Sequence, residues 1–244
     1  MNSKIFNHIV KKLHDTWHLP QHEEIRNNLA ADTDLSALPW TPARRHKFQQ
    51  DLATDFNVPV EISGTVQELV ERTDVRYLNW FFGEIWKPRT EQYQWTGYRI
   101  AEEICRVGPR RVLDVGCGYN PFKERIPNLI GIDPYNNCAD FQVDILDYRV
   151  EPNSFDHVIA LGSINFNSRE DIELRFAATV NLLEPGGLLW MRCNPGHSHK
   201  NGPWVEIFPW SFDVAYELAK KYNLTLETLK QDQDRLFFLF KKNT

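Results

Sequence analysis

The segment Val112-Leu113-Asp114-Val115-Gly116-Cys117-Gly118-Tyr119-Asn120-Pro121 constrains the fold more than any other part of this 244-residue chain. Its short apolar opening has the length of a buried strand, and the strand runs straight into a turn carrying two glycines. Glycine is the residue that adopts positive φ without steric cost, and its missing side chain lets a ligand approach the backbone. Asn120 and Pro121 then supply residue types suited to the cap and first position of a helix. The expectation is a strand, a tight turn and a helix, with a ligand above the carboxyl end of the strand, where open α/β sheets bind.

The surrounding pattern agrees with a doubly wound α/β sheet. Further apolar runs at Leu129–Ile132, Val158–Leu161 and Gly187–Met191 end in Gly, Asp or Pro, and helical patterns at Glu170–Leu183 and Ser211–Tyr222 separate them. Thr225–Leu229 and Leu236–Phe240 lie only a turn apart, which predicts a closing antiparallel hairpin. One spacing departs from the usual plan. About eight residues separate the second run from a strand expected near Phe141, and a parallel crossover usually needs a dozen or more. The second crossover helix is therefore expected to be absent or vestigial.

Composition excludes several classes. No apolar run approaches the roughly 18 residues of a membrane span, and the amino-terminal residues do not read as a secretory signal, so a cytoplasmic protein away from membranes is expected. Cys105, Cys117, Cys138 and Cys193 show no CxxC spacing, which argues for reduced thiols and against a zinc site; no metal is expected. Net charge is -5, and residues 1–75 carry 8 basic against 11 acidic groups, so a nucleic-acid partner is disfavoured.

Two acids extend the site. Asp133, 15 residues after Gly118, closes the second run in Gly131-Ile132-Asp133-Pro134, and Asp144 stands in Val143-Asp144-Ile145. A carboxylate at one strand tip can accept ribose hydroxyls, while a carboxylate with a neighbouring N–H at the next can read adenine. Either acid alone is equally well read as a turn or cap residue. In order, they form an adenosine site. A dinucleotide fold would place a third glycine at 121, beneath a pyrophosphate; Pro121 argues against it.

The successive segments VLDVGCG, GIDP, VDILD, FDHVIALGSINF and LLEPGGLL resemble the motifs of class I (Rossmann-like) S-adenosylmethionine-dependent methyltransferases over about residues 97–242. The resemblance implies a mostly parallel seven-stranded sheet with an antiparallel last strand, and S-adenosylmethionine as cofactor. It implies that Asp114, Gly116, Cys117 and Gly118 surround the methionine end, that Asp133 with Pro134 holds the ribose, that Asp144 and Ile145 meet adenine, and that Leu161 and Gly162 lie beneath the sulfonium. The function implied is methyl transfer by in-line displacement to a small-molecule or partner-presented acceptor. The alternatives are a nucleic-acid or protein methyltransferase and a binding protein without turnover. Resemblance of this kind carries the cofactor, not the acceptor.

Around the acceptor, Gly162-Ser163-Ile164-Asn165 departs from the (Asp/Asn)-Pro-Pro-Tyr pattern of many amino methyltransferases acting on bases. His197 and His199, in the loop from Gly196 to Trp204, can serve as a base near neutral pH or be solvated loop histidines. Cys193 is read as a buried structural thiol rather than a nucleophile. Trp80, Phe81, Trp86, Trp95, Trp204 and Trp210 are candidate pocket walls, with interior packing as the commoner use of such side chains.

The chain is expected to divide into a helical bundle at 1–75, an aromatic-rich helical connector at 76–108, and the cofactor-binding domain at 109–244. The bundle loosely resembles an acyl-carrier-protein fold through Ile5–Leu13, Leu52–Val58 and Thr65–Val70. Thr41-Pro42 stands where that family carries Asp-Ser, so the attachment serine is missing and the expected role is a lid or a docking module for a protein partner.

Overall fold

Helix starts in the first part of the chain follow capping chemistry. Asn2 accepts the Lys4 and Ile5 N–H groups to open α1 (Ser3–Thr16), whose periodicity buries Ile5, Ile9 and Leu13. A short α2 (Glu23–Asn27) follows. Thr41 caps α3 (Pro42–Phe56) with proline in its first turn, and the helix stops at Asn57 in the left-handed conformation, φ 55°. Thr65 and Glu68 form a reciprocal capping box at the start of α4 (Val66–Trp80). Caps of this kind contribute about 1 kcal/mol each. Burial of Phe48, Leu52 and Phe56 on α3 and of Val66, Leu69, Val70 and Tyr77 on α4 supplies the apolar core.

The computed structural model describes residues 1–87, 97–200, 202–232 and 234–244. Its chain divides into two compact units, Met1–Ile85 with Lys200–Glu206, and Trp86–His199 with Ile207–Thr244. Trp95, a candidate pocket wall, lies outside the described residues, as does part of the expected connector at 76–108.

The second unit is a six-stranded sheet of order β2-β1-β3-β4-β6-β5, built from β1 (Val112–Val115), β2 (Leu129–Ile132), β3 (Phe155–Leu161), β4 (Leu183–Cys193), β5 (Leu224–Asp232) and β6 (Arg235–Lys242). The first four strands run parallel, and β6 runs antiparallel to both β4 and β5. Helices cover both faces. Alternating residues such as Leu113, Val158 and Leu189 pack with α6 (Arg169–Leu182) and α7 (Phe212–Lys221), while Val112, Ile159 and Trp190 pack with α5 (Gly97–Val107). The doubly wound architecture follows from this alternation.

Two expectations are corrected. The sheet has six strands among the described residues, not seven, because the expected third strand is reduced to one parallel bridge, Ile132 to Phe141. Its connection is too short to carry a crossover helix, so the chain touches the β2 edge and leaves. The helix expected after Pro121 is a run of turns instead. Asn120 sits at φ 54°, which no N-cap adopts, and Pro127 keeps Ile126 from continuing a helix.

Candidate functional site

The parallel strands β1, β2 and β3 end at one edge of the sheet, and the glycine turn closes over it. Gly116 and Gly118 take φ 67° and 57°, and the Gly116 and Cys117 N–H groups donate to the Ile132 carbonyl at 2.8 and 3.0 Å. A Cβ on Gly116 would stand 2.3 Å from Cβ of Ser163, in the loop after β3. A Cβ on Gly118 would stand 3.2 Å from the indole of Trp86. Both glycines are therefore favoured by conformation, and Gly116 is also required by close approach. The Ser163 hydroxyl oxygen is buried with no hydrogen-bond partner among the described residues. An orphaned buried hydroxyl costs about 1–3 kcal/mol, which a ligand or water can recover.

Asp133 organises the edge. Its Oδ2 accepts the Gly118 N–H at 2.9 Å; its Oδ1 accepts Tyr135 N–H at 2.8 Å, Asn136 N–H at 2.9 Å and the Asn136 side-chain amide at 3.1 Å. A carboxylate offers about four lone-pair directions, so a free acceptor position remains chiefly on Oδ2. Asp114, wholly buried in β1, has its carboxyl pushed up to about 8, first by burial and then by the negative charge of Asp133. The same burial raises the Cys117 thiol, with Asp114 adding to it.

The other expected residues divide. Leu161 ends β3, and Gly162 leads into Ser163, which meets the glycine turn directly. Pro134 begins the turn whose N–H groups Asp133 collects. Asp144 is engaged elsewhere: Oδ1 accepts the Leu146 N–H at 2.9 Å and Oδ2 the Arg175 guanidinium at 3.4 Å, while the Ile145 side chain is core. His197 is exposed, its backbone held on both sides by Asn194 at 2.7 and 2.9 Å. Burial, with the charge of Arg235, pulls the His199 imidazole below its ordinary value. Trp204 packs in the first unit on His8 and Phe56 and donates to the Asp55 carbonyl, and Trp210 is core, donating to the Ile164 carbonyl at 2.8 Å.

Sequence reasoning gave no linking role to Asn165 and Asn194, which tie the two strand-tip loops together: Asn165 Oδ1 accepts the Asn194 N–H at 3.0 Å. Their residue type alone carries no signal beyond turn propensity. A surface cavity of about 640 Å³ lined by Tyr98, Tyr119, Lys123, Arg125 and Cys138 lies past the glycine turn and holds none of these acids.

Cys193 is wholly buried and its thiol is raised well above the ordinary range by that burial. A thiol of that kind is inert as a nucleophile at neutral pH. Titration with a disulfide reagent on the folded protein is expected to label the exposed Cys138 first and to leave Cys117 and Cys193 silent until denaturant is added. Rapid labelling of Cys193 in the native protein would overturn its structural role.

No family model and no curated protein matches the chain. Among solved structures, the PH0226 protein from Pyrococcus horikoshii OT3 superposes with a TM-score of 0.52 at 15% identity, over 68% of this chain and 96% of that one. That likeness shows a shared fold. Also found were the 1,6-didemethyltoxoflavin-N1-methyltransferase of Burkholderia thailandensis, with TM-score 0.49 and 13% identity over 87% and 95% of the two chains, and the N-methyltransferase NodS of Bradyrhizobium japonicum WM9, with TM-score 0.45 and 16% identity over 60% and 96%. No helix among the described residues is long and apolar enough to cross a membrane.

Proposed function

We propose that this chain is an S-adenosylmethionine-dependent methyltransferase whose acceptor is a small molecule or a group presented by a partner. The observation that carries the reading is the single linked constellation at the sheet edge, in which Asp133 holds the Gly118 N–H and Ser163 lies over Gly116. The residues present fit the cofactor. A glycine turn admits close approach, the orphaned Ser163 hydroxyl awaits a polar partner, and the buried Asp114 carboxyl suits a cationic group.

In this reading Asp114 and the glycine turn, Gly116 to Gly118, hold the methionine end. Asp133 contributes the free position on Oδ2 to a ribose hydroxyl, so one strong acceptor bond replaces the pair expected from sequence. Adenine would meet Asp144 and Ile145 through backbone groups and through a carboxylate shared with Arg175. The cofactor, when bound, supplies an already activated methyl group. The protein's part is to align the acceptor and exclude water, and it requires no dedicated base. His197 and His199 then serve at most to position or deprotonate an acceptor. The first unit is read as a docking module for a protein partner, since Pro42, which follows the Thr41 cap whose hydroxyl accepts the Arg44 N–H at 3.2 Å, begins α3 where a carrier protein would present its serine.

Calorimetric titration with S-adenosylmethionine, S-adenosylhomocysteine and NAD tests the reading. The first two are expected to bind in the micromolar range and NAD not at all, with binding abolished in Gly116→Arg, whose side chain would enter the space held by Ser163. A protein that binds neither sulfur compound, or that binds NAD, is not a methyltransferase of this class.

A further inference from the structure

Among the described aromatic residues that could wall a ligand site, Trp86 touches the glycine turn. The Trp86 indole packs on the bare backbone of Gly118, with Cζ3 at 3.2 Å and Cη2 at 3.6 Å from where a Cβ would stand. Lys87 fastens the same segment: its ammonium donates to the Tyr119 hydroxyl at 2.8 Å and lies 5.2 Å from the centre of that ring. A hydrogen bond and a cation–π contact thus clasp residues 86–87 to residues 118–119. Gly118 is also the residue whose N–H is held by Asp133 Oδ2, the acceptor position left open to a ligand. The Trp86 indole is only partly buried, unlike Trp210 in the core.

We propose that Trp86 is a ligand-binding residue, its indole forming a wall of the cofactor site at the glycine turn. The inference rests on the S-adenosylmethionine reading and names a contact beyond it. A flat aromatic surface on the glycine turn favours a ligand with a stacking base or a soft cation, and it excludes water from the neighbouring polar contacts. The Lys87 to Tyr119 clasp preorganises the wall, so the ordering cost is met before the ligand arrives.

Trp86→Phe and Trp86→Ala in the full chain test the assignment, read by calorimetry and by tryptophan fluorescence with S-adenosylhomocysteine as probe. Phenylalanine keeps an aromatic wall, so affinity is expected within about threefold of the original, while alanine is expected to weaken binding about tenfold or more. Wild-type fluorescence is expected to fall on binding, and most of that change to vanish in Trp86→Phe although the ligand still binds; altered packing alone would not remove it. Wild-type affinity in Trp86→Ala overturns the proposal, and so does tighter binding, which would mean that the indole occupies the ligand's own space. If the unsubstituted protein binds neither S-adenosylhomocysteine nor S-adenosylmethionine, the methyltransferase reading fails and takes the Trp86 assignment with it. Binding that is intact but indifferent to Trp86 fails the assignment alone.

Discussion

Alanine at Asp133 is expected to abolish S-adenosylmethionine binding and to destabilise the second unit by about 3–5 kcal/mol, because four donors lose their acceptor together. Gly118 and Asn136 are buried, so their N–H groups cannot turn to water without opening the glycine turn. Asp133→Asn separates folding from binding. An amide that keeps its oxygen towards Tyr135 and Asn136 preserves three contacts, but its NH₂ then faces the Gly118 N–H, donor against donor. Most of the stability is expected to survive in that variant while affinity falls at least tenfold, about 1.4 kcal/mol. Urea denaturation and calorimetry on both variants measure the two quantities. An Asp133→Ala protein with ordinary stability and ordinary affinity would remove this carboxylate from the site.

What sequence could show and what it could not divide along the range of the interactions. β1 and β2 fall where the apolar runs placed them, Val112–Val115 and Leu129–Ile132, because Gly, Asp and Pro punctuate strands locally. The β5–β6 hairpin likewise follows from alternation and a short turn. The reduced third strand was foreshadowed by its short connection, yet its collapse to the Phe141 bridge depends on how the edge of β2 is met. Asn120 misled for a physical reason. Asparagine caps helices and also tolerates the left-handed conformation, and here its side chain fills the space above Gly131, where a Cβ would come within 2.7 Å of the amide oxygen. Asp133 and Asp144 were legible as acids at successive turns. Their partners were not, since the Gly118 N–H lies 15 residues away and Arg175 lies 31, brought in by the fold.

The buried carboxyl of Asp114 predicts an unusual pH response. Its folded value of about 8 stands far above the ordinary 3.8, with burial as the first cause and Asp133 as the second. Below about pH 4 the group is protonated in folded and unfolded chains alike, so it adds no pH dependence there. Between about pH 4 and 8 only the unfolded chain releases the proton, so stability falls with rising pH by up to about 1.4 kcal/mol per unit. Above about pH 8 both states are ionised and the fall ends, after a total on the order of 5 kcal/mol. Asp114→Asn, neutral throughout, is expected to lack this slope and to be more stable than the original protein by several kcal/mol from about pH 7 upwards. Binding of a cationic methionine end should reverse the imbalance. A positive charge beside Asp114 favours its anion, so binding at pH 7 releases a proton, and affinity rises with pH up to about 8 before the ligand's own α-amino group begins to lose its charge. Titrations at pH 7 in two buffers of different ionisation enthalpy count the released proton directly. Near-complete release in the original protein and none in Asp114→Asn is the expected result. Equal heats in both buffers, with an affinity flat from about pH 6 to 8, would mean that no cation is held at this carboxyl and that the methionine end lies elsewhere.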